Sequence, residues 1–176
     1  MRRPAAVLVP LYEAADGLRV VLTRRPTAMR SHSGEVSFPG GGREPQDVDL
    51  VATALRESQE EIGLDPDRVE VIGQLDPLAT LSSAAMITPY VGVVADLPPL
   101  RAQAREVAAI LHVPLAELLD DGVFHQEWWP MPPHLVAEGA SRWRPMFFYE
   151  LQGDTVWGAT ARLLTQLLSI ATGTEP

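Results

Sequence analysis

Residues 47–66, DVDLVATALRESQEEIGLDP, constrain the fold most because they predict one short helix with a fixed start and end. Asp47 is a residue type that caps a helix N-terminus. Gly63 suits the left-handed conformation just after a helix, and Pro66 prevents the helix from continuing. The sequence therefore predicts a helix over residues 48–63.

The two sides of this predicted helix differ sharply. At about 100° per residue, one face carries apolar side chains, namely Val48, Val51, Ala52, Leu55 and Ile62. The opposite face carries three glutamates at i, i+3 and i+4, namely Glu57, Glu60 and Glu61. These like charges repel, and the last two lie near the negative end of the helix dipole. We expect the apolar face to dock and the acidic face to stay free.

Two explanations account for the glutamates. An acidic helix face is usually just a solvated surface. Alternatively, the face binds a divalent cation, whose charge turns the repulsion into attraction. The loop directly before the helix favours the second explanation, since the segment FPGGG at residues 38–42 lets the backbone approach a metal or an anion closely.

The rest of the chain mixes strands and helices. Strands are predicted at residues 5–13, 18–25, 69–75, 87–94, 106–114, 144–151 and 155–158. Residues 36–42 predict a short strand that runs into a glycine-rich turn. A helical turn is predicted at residues 115–122 and a closing amphipathic helix at residues 159–172. The first two strands suit a hairpin. Without regular βαβ alternation, the class is α/β or α+β, with a mixed sheet covered by helices.

Composition limits the partners and the compartment. The 176 residues suit one domain over residues 1–176. The net charge of −9 argues against nucleic acid as the partner. The absence of cysteine fits a reducing cytoplasm, and no window approaches the roughly 18 apolar residues of a membrane helix.

Residues 41–64 resemble the signature of the Nudix hydrolases. The matching positions are Gly41, Asp47, Arg56, Glu57, Glu60, Glu61, Gly63 and Leu64. The segment departs from that signature in three ways: Asp47 replaces the usual Glu, the spacer to Arg56 has eight residues rather than seven, and Ser58 replaces an apolar residue.

Residues 21–41 resemble the motif of the coenzyme A pyrophosphatase branch of that family. The matching positions are Leu22, Thr23, Arg25, Arg30, Gly34, Phe38, Pro39, Gly40 and Gly41, with Val21 in place of the first leucine. That branch commonly has the aspartate and the longer spacer as well. Residues 121–143 have no counterpart in the pattern.

The resemblance implies a fold, a reaction and a cofactor. The fold is an α/β/α sandwich with a mixed sheet between helices. The reaction is hydrolysis of coenzyme A to 3′,5′-ADP and 4′-phosphopantetheine, with Mg²⁺ or Mn²⁺ as cofactor. The implied metal ligands are Glu57 and Glu61, supported by Glu60 and by the Gly41 carbonyl.

The signature does not determine the general base or the residues that contact the substrate. Arg56 is expected to orient a glutamate. The general base is either Glu57 or a glutamate from another loop, for which Glu106 is the candidate. Candidates for substrate contact are Arg24, Arg25, Arg30, His32 and Phe38. Since neighbouring strand residues face opposite ways, only one of Arg24 and Arg25 is expected in the site.

The four tryptophans and the class of substrate leave alternatives. Core or interface packing is expected for Trp128, Trp129, Trp143 and Trp157, with stacking on adenine as the alternative. The substrate could instead be ADP-ribose, NADH or a nucleoside triphosphate. A non-catalytic binding module with the same fold is the rival of another class, and a homodimer is one possible assembly.

Overall fold

The computed structural model describes residues 2–28, 33–80, 85–133, 136 and 139–174. The larger sheet has strands β1 Arg3–Ala14, β2 Gly17–Arg24, β3 Val36–Ser37, β4 Gly40–Gly42, β5 Glu70–Gln74, β6 Leu78–Ala79, β7 Ala85–Val93 and β8 Ala109–Pro114. The smaller sheet has strands β9 Phe124–Pro130, β10 Trp143–Leu151 and β11 Asp154–Trp157. The helices are α1 Leu50–Ile62, α2 Leu115–Leu118 and α3 Gly158–Thr172, and a 3-10 turn covers Pro66–Arg68.

Strand β1 organises the larger sheet. It pairs antiparallel with β2 and β4 and parallel with β7. From β2 the sheet continues to β3 and β8, and from β7 to β5 and β6. The smaller sheet is antiparallel in the order β11-β10-β9. The predicted β1–β2 hairpin and the predicted mixed sheet are confirmed.

The larger sheet is buried on both faces, which gives the layered arrangement. On one face, Leu8 and Val21 pack in a cluster with Ala54 and Ile62 of α1. On the other face, a second cluster joins strands of the larger sheet to the smaller sheet and α3, through the residues Val9, Leu22, Tyr149, Val156 and Leu164. Within the part of the chain that the structure describes, no helix is both long and apolar enough to cross a membrane.

The predicted end of α1 is confirmed, but its predicted start is wrong. Gly63 has φ 69°, and its N–H donates to the Gln59 carbonyl at 2.9 Å. The N-cap is Asp49, whose carboxylate accepts from the Ala52 N–H at 2.7 Å. Asp47 lies two residues earlier and instead accepts hydrogen bonds from the Glu44 N–H, the Thr53 hydroxyl and Arg56.

The predicted docking face of α1 is correct only in part. Ile62 is buried and Leu55 packs against the same core cluster, as predicted. The other buried residues of the helix are Thr53, Ala54, Ser58 and Glu61. Val48 precedes the helix and is 83% exposed, whereas Glu61 is only 5% exposed. The physical reason is the surface that α1 meets. Part of that surface is β4, a strand of three glycines. Because glycine has no side chain, the Glu61 carboxylate fits against this strand and accepts a hydrogen bond from its backbone.

The smaller sheet contains a strand that the sequence did not predict. All seven residues of β9 are exposed, so burial on this strand has no period of two. The four tryptophans of the smaller sheet lie outside the core, so the core part of the expected core or interface packing is wrong. The exposed fractions are 59% for Trp128, 43% for Trp129, 48% for Trp143 and 39% for Trp157.

We predict that Gly40→Ala destabilises the protein and that Gly42→Ala does not. A Cβ at Gly40 would lie 2.4 Å from the Ala6 carbonyl oxygen and 2.6 Å from the Val7 Cα, and backbone atoms cannot swing away. A Cβ at Gly42 meets no atom within 4 Å. The expected cost at Gly40 is about 2–3 kcal/mol, seen as a melting temperature lower by several degrees. Equal melting temperatures for the two variants would contradict this account of β4.

Candidate active site

Two glutamates of α1 lie against the glycine strand β4. The Gly40 N–H donates to Glu61 Oε2 at 3.2 Å. A Cβ at Gly41 would lie 2.4 Å from the carboxyl carbon of Glu57, so only glycine leaves room for that carboxylate. The Glu57 side chain is 15% exposed. The fold thus holds two largely buried carboxylates beside a backbone stripped of side chains.

Burial changes the acidity of both carboxylates. It raises the pKa of Glu61 to about 7, against the opposing effects of the Gly40 N–H and the Arg25 charge. Burial also raises the pKa of Glu57, and the Arg56 charge opposes that rise. The Glu106 charge raises the pKa of both residues, so the exposed Glu106 lies within their electrostatic reach. The structure therefore brings these three carboxylates into one electrostatic group.

Arg56 ties the helix to the loop before it. Its Nε and Nη2 donate to the two carboxylate oxygens of Asp47 at 2.9 and 3.0 Å. Its Nη2 also donates to the Gly42 carbonyl, and its Nη1 lies 3.1 Å from Glu57 Oε1. The expectation that Arg56 orients a glutamate fits this geometry, but its strongest partner is Asp47, a role that the sequence did not predict. This pairing holds the pKa of Asp47 far below its usual range.

Glu60 differs from the other two glutamates. Its side chain is 57% exposed and accepts from Arg56 Nη1 at 3.1 Å. Among the described residues, no three His, Asp or Glu side chains form a ready-made group for a metal ion. The buried pair of Glu57 and Glu61, beside the Gly41 backbone, still supplies the oxygen donors that a hard dication prefers.

The predicted substrate contacts separate into three groups. Arg24 and Arg25 both line a cavity at the end of β2, and of the two only Arg25 also lines the cavity at β4. Arg24 is the last residue of β2 and Arg25 lies beyond it, where strand alternation no longer applies. Phe38 is 3% exposed and packs in the core, so it supports the wall of the site and is not an exposed contact for a substrate. Arg30 and His32 lie outside the described residues.

A cavity of about 920 Å³ starts at β4 and continues along β10 and α3. Five arginines line it, namely Arg3, Arg25, Arg43, Arg144 and Arg162. Glu35 is the one acidic residue among the described lining residues. Four of these arginines were missed by the sequence, because they are far apart along the chain and only the topology brings them together. We call this space the arginine cavity.

The mixed sheet, the glycine strand and the buried carboxylates define a Nudix-type hydrolase. Residues 1–133 match the family model described as NUDIX domain. The chain is 39% identical over 168 residues to a protein of Photorhabdus laumondii named uncharacterized Nudix hydrolase NudL, covering 94% of this chain and 83% of that protein. The chain belongs to the Nudix family and is an enzyme of its hydrolase class, which generally uses divalent metal ions.

Solved structures share the fold. A MutT/nudix family protein from Enterococcus faecalis aligns over 98% of this chain and 63% of its own, with a TM-score of 0.61 and 15% identity. The NUDIX domain of Shewanella oneidensis NrtR, solved with ADP ribose, aligns over 68% of this chain and 77% of its own, with a TM-score of 0.53 and 19% identity. At these identities the likeness concerns the fold.

We predict that metal-free protein becomes less stable as the pH rises from about 5 to about 8. With its pKa raised to about 7, Glu61 keeps in the folded protein a proton that the unfolded chain loses near pH 4.5. The loss of stability therefore begins above about pH 4.5 and is complete above about pH 7, with an expected size of about 3 kcal/mol. Urea denaturation in the presence of EDTA measures it.

Glu61→Gln is the matched control for this pH dependence, because its amide does not titrate. The variant is expected to lose less stability than the unmutated protein over the same pH range. Parallel pH profiles for the two proteins would show that Glu61 does not carry the effect.

Proposed function

We propose that this Nudix hydrolase cleaves the diphosphate of coenzyme A or its acyl derivatives to 3′,5′-ADP and 4′-phosphopantetheine or acyl-phosphopantetheine. The observation that carries the proposal is the arginine cavity, which begins at β4 beside the buried carboxylates. Coenzyme A brings a diphosphate and a further phosphate, and arginine binds phosphate through paired N–H donors. The sequence motif of residues 21–41 points to the same substrate.

The apolar side chains of the cavity suit the rest of such a substrate. Besides the arginines, its lining includes Leu78, Ile87, Met131, Met146 and Phe147. Pantetheine is a long, mostly uncharged chain, and acyl groups extend it further. A cavity lined by both guanidinium groups and apolar side chains therefore matches a ligand with a phosphorylated head and an apolar tail.

The residues fit a bound Mg²⁺ or Mn²⁺. Glu57 and Glu61 are the proposed ligands, with Glu60 and the Gly41 carbonyl in support. A dication held there would neutralise diphosphate oxygens and lower the pKa of a water molecule. The pKa values of both glutamates are raised because burial disfavours their ionised forms. A bound cation would stabilise those ionised forms.

The protein's other residues position and move protons. Arg56 fixes the Glu57 side chain and holds α1 against the loop through Asp47. Glu106 is exposed, so it can exchange protons with solvent, and it lies within electrostatic reach of Glu57. We propose Glu106 or Glu57 as the base that takes the proton from the attacking water.

We predict that purified protein hydrolyses coenzyme A with Mg²⁺ or Mn²⁺ and prefers it to ADP-ribose, NADH and nucleoside triphosphates. Product analysis by chromatography should find 3′,5′-ADP. Faster turnover of ADP-ribose or NADH would assign the site to another diphosphate. Binding of coenzyme A without turnover of any compound in the panel would identify a non-catalytic module.

We predict that Glu57→Gln and Glu61→Gln each lower the metal-dependent kcat at least about a hundredfold, because each removes a negative oxygen donor from the proposed metal site. Circular dichroism should show that both variants stay folded. The matched control is Glu70→Gln on β5, an exposed glutamate outside the site, which should keep the kcat of the unmutated protein. Near-normal turnover by a folded double variant would contradict the metal-site assignment.

A further inference from the structure

A second cavity, of about 710 Å³, opens where the smaller sheet meets the end of β2. We call it the aromatic cleft and define it by Arg24, Arg25, Trp129, Phe148, Asp154 and Trp157. The family pattern assigns no role to its aromatic residues, which come from β9, β10 and β11.

The three aromatic side chains form one wall. Phe148 is directly opposite Trp157 in the sheet register, so both lie on the same face. The Trp129 ring centroid lies 5.9 Å from that of Phe148 and 6.3 Å from that of Trp157. Trp129 is 43% exposed and Trp157 is 39% exposed. The wall therefore offers indole surface to which a flat ring can stack.

Two arginines, Arg24 and Arg25, also line the cleft. Arg24 Nη1 donates to both carboxylate oxygens of Asp154 at 3.1 and 3.2 Å. The Asp154 side chain is 9% exposed, and Arg24 keeps 38% of its own side chain exposed. The largely buried carboxylate thus holds the guanidinium at the cleft while leaving part of it open to a ligand. A cleft lined by both aromatic rings and guanidinium groups suits a nucleobase that carries a phosphate nearby.

The aromatic cleft adjoins the arginine cavity. Arg25 and Trp157 line both. A ligand whose diphosphate lies beside β4 can therefore extend one end into the aromatic cleft and its other end along the apolar side chains of the arginine cavity.

We propose that the aromatic cleft binds the 3′-phosphorylated adenosine of the substrate, with the adenine stacked on Trp157 and Trp129 and the 3′-phosphate at Arg24. This assignment rests on the proposed function and adds an orientation to it: the phosphopantetheine half lies along the apolar side chains of the arginine cavity. Trp129 and Trp157 thereby take the role that the sequence left as the alternative to core or interface packing, stacking on adenine.

Calorimetry with the two product fragments tests the cleft without turnover. Trp157→Leu and Trp129→Leu should each raise the Kd for 3′,5′-ADP at least about 10-fold, the scale of one lost base stack. In Trp129→Leu the Kd for 4′-phosphopantetheine should stay within about twofold, because Trp129 lines only the aromatic cleft. The unmutated protein should also bind 3′,5′-ADP at least about 10-fold tighter than 5′-AMP, which lacks the 3′-phosphate.

Trp128→Leu is the matched control. Trp128 is the immediate neighbour of Trp129 in β9 and more exposed, at 59%, yet it lines neither cavity. Its variant should bind 3′,5′-ADP as the unmutated protein does. Two cleft tryptophans are substituted separately, so the test can still be made if one of the two variants does not fold.

The outcomes separate this inference from the proposed function. Equal weakening of both fragments in Trp129→Leu, no weakening in either cleft variant, or equal Kd values for 3′,5′-ADP and 5′-AMP would overturn the cleft assignment. If the enzyme hydrolyses coenzyme A and neither cleft variant changes the KM, the function stands and the cleft assignment fails. If coenzyme A is not hydrolysed but 3′,5′-ADP binds in a Trp157-dependent manner, the cleft assignment stands and the proposed function fails.

Discussion

The paired hydrogen bonds between Arg56 and Asp47 hold the candidate site together. Asp47 is 6% exposed and also accepts from the Glu44 N–H at 2.8 Å and the Thr53 hydroxyl at 2.9 Å. A buried ion pair stabilises a structure only when its remaining hydrogen-bonding capacity is satisfied, and here it is. Because the same guanidinium reaches the Gly42 carbonyl and Glu57, this one pair sets the position of the glycine strand relative to the helix.

In that arrangement, burial and neighbouring negative charges make ionisation of a glutamate in the site unfavourable. Glu61 is buried with the Gly40 N–H as its hydrogen-bond donor, and the charges of Glu57 and Glu106 oppose its ionisation. Buried groups whose charges are locally unfavourable in this way tend to occur at functional sites. Five arginines line the cavity that begins at the same strand, although the whole chain carries a charge of −9. Net charge therefore says little about the local field that a phosphorylated ligand meets.

Features encoded by neighbouring residues could be predicted from the sequence. The β1–β2 hairpin and the end of α1 at Gly63 are examples, since turn and cap chemistry depend on a few adjacent residues. The whole buried face of α1 could not be predicted, because it depends on what faces the helix, and β4 presents glycine there. Asp47 and Asp49 are both good caps by residue type, and only the tertiary pairing with Arg56 decides between them.

The reacting centre and part of the proposed aromatic cleft lie in different parts of the chain. The carboxylates and their supporting residues lie within residues 1–133, the part that matches the family. Phe148, Asp154 and Trp157 lie beyond it, on the smaller sheet. Groups that contact a substrate far from the reacting bond can change which substrate is held in place without altering the reacting centre. If the aromatic cleft binds the adenosine as proposed, substitutions on the smaller sheet redirect such a hydrolase to another diphosphate while Glu57, Glu61 and their glycine strand stay the same.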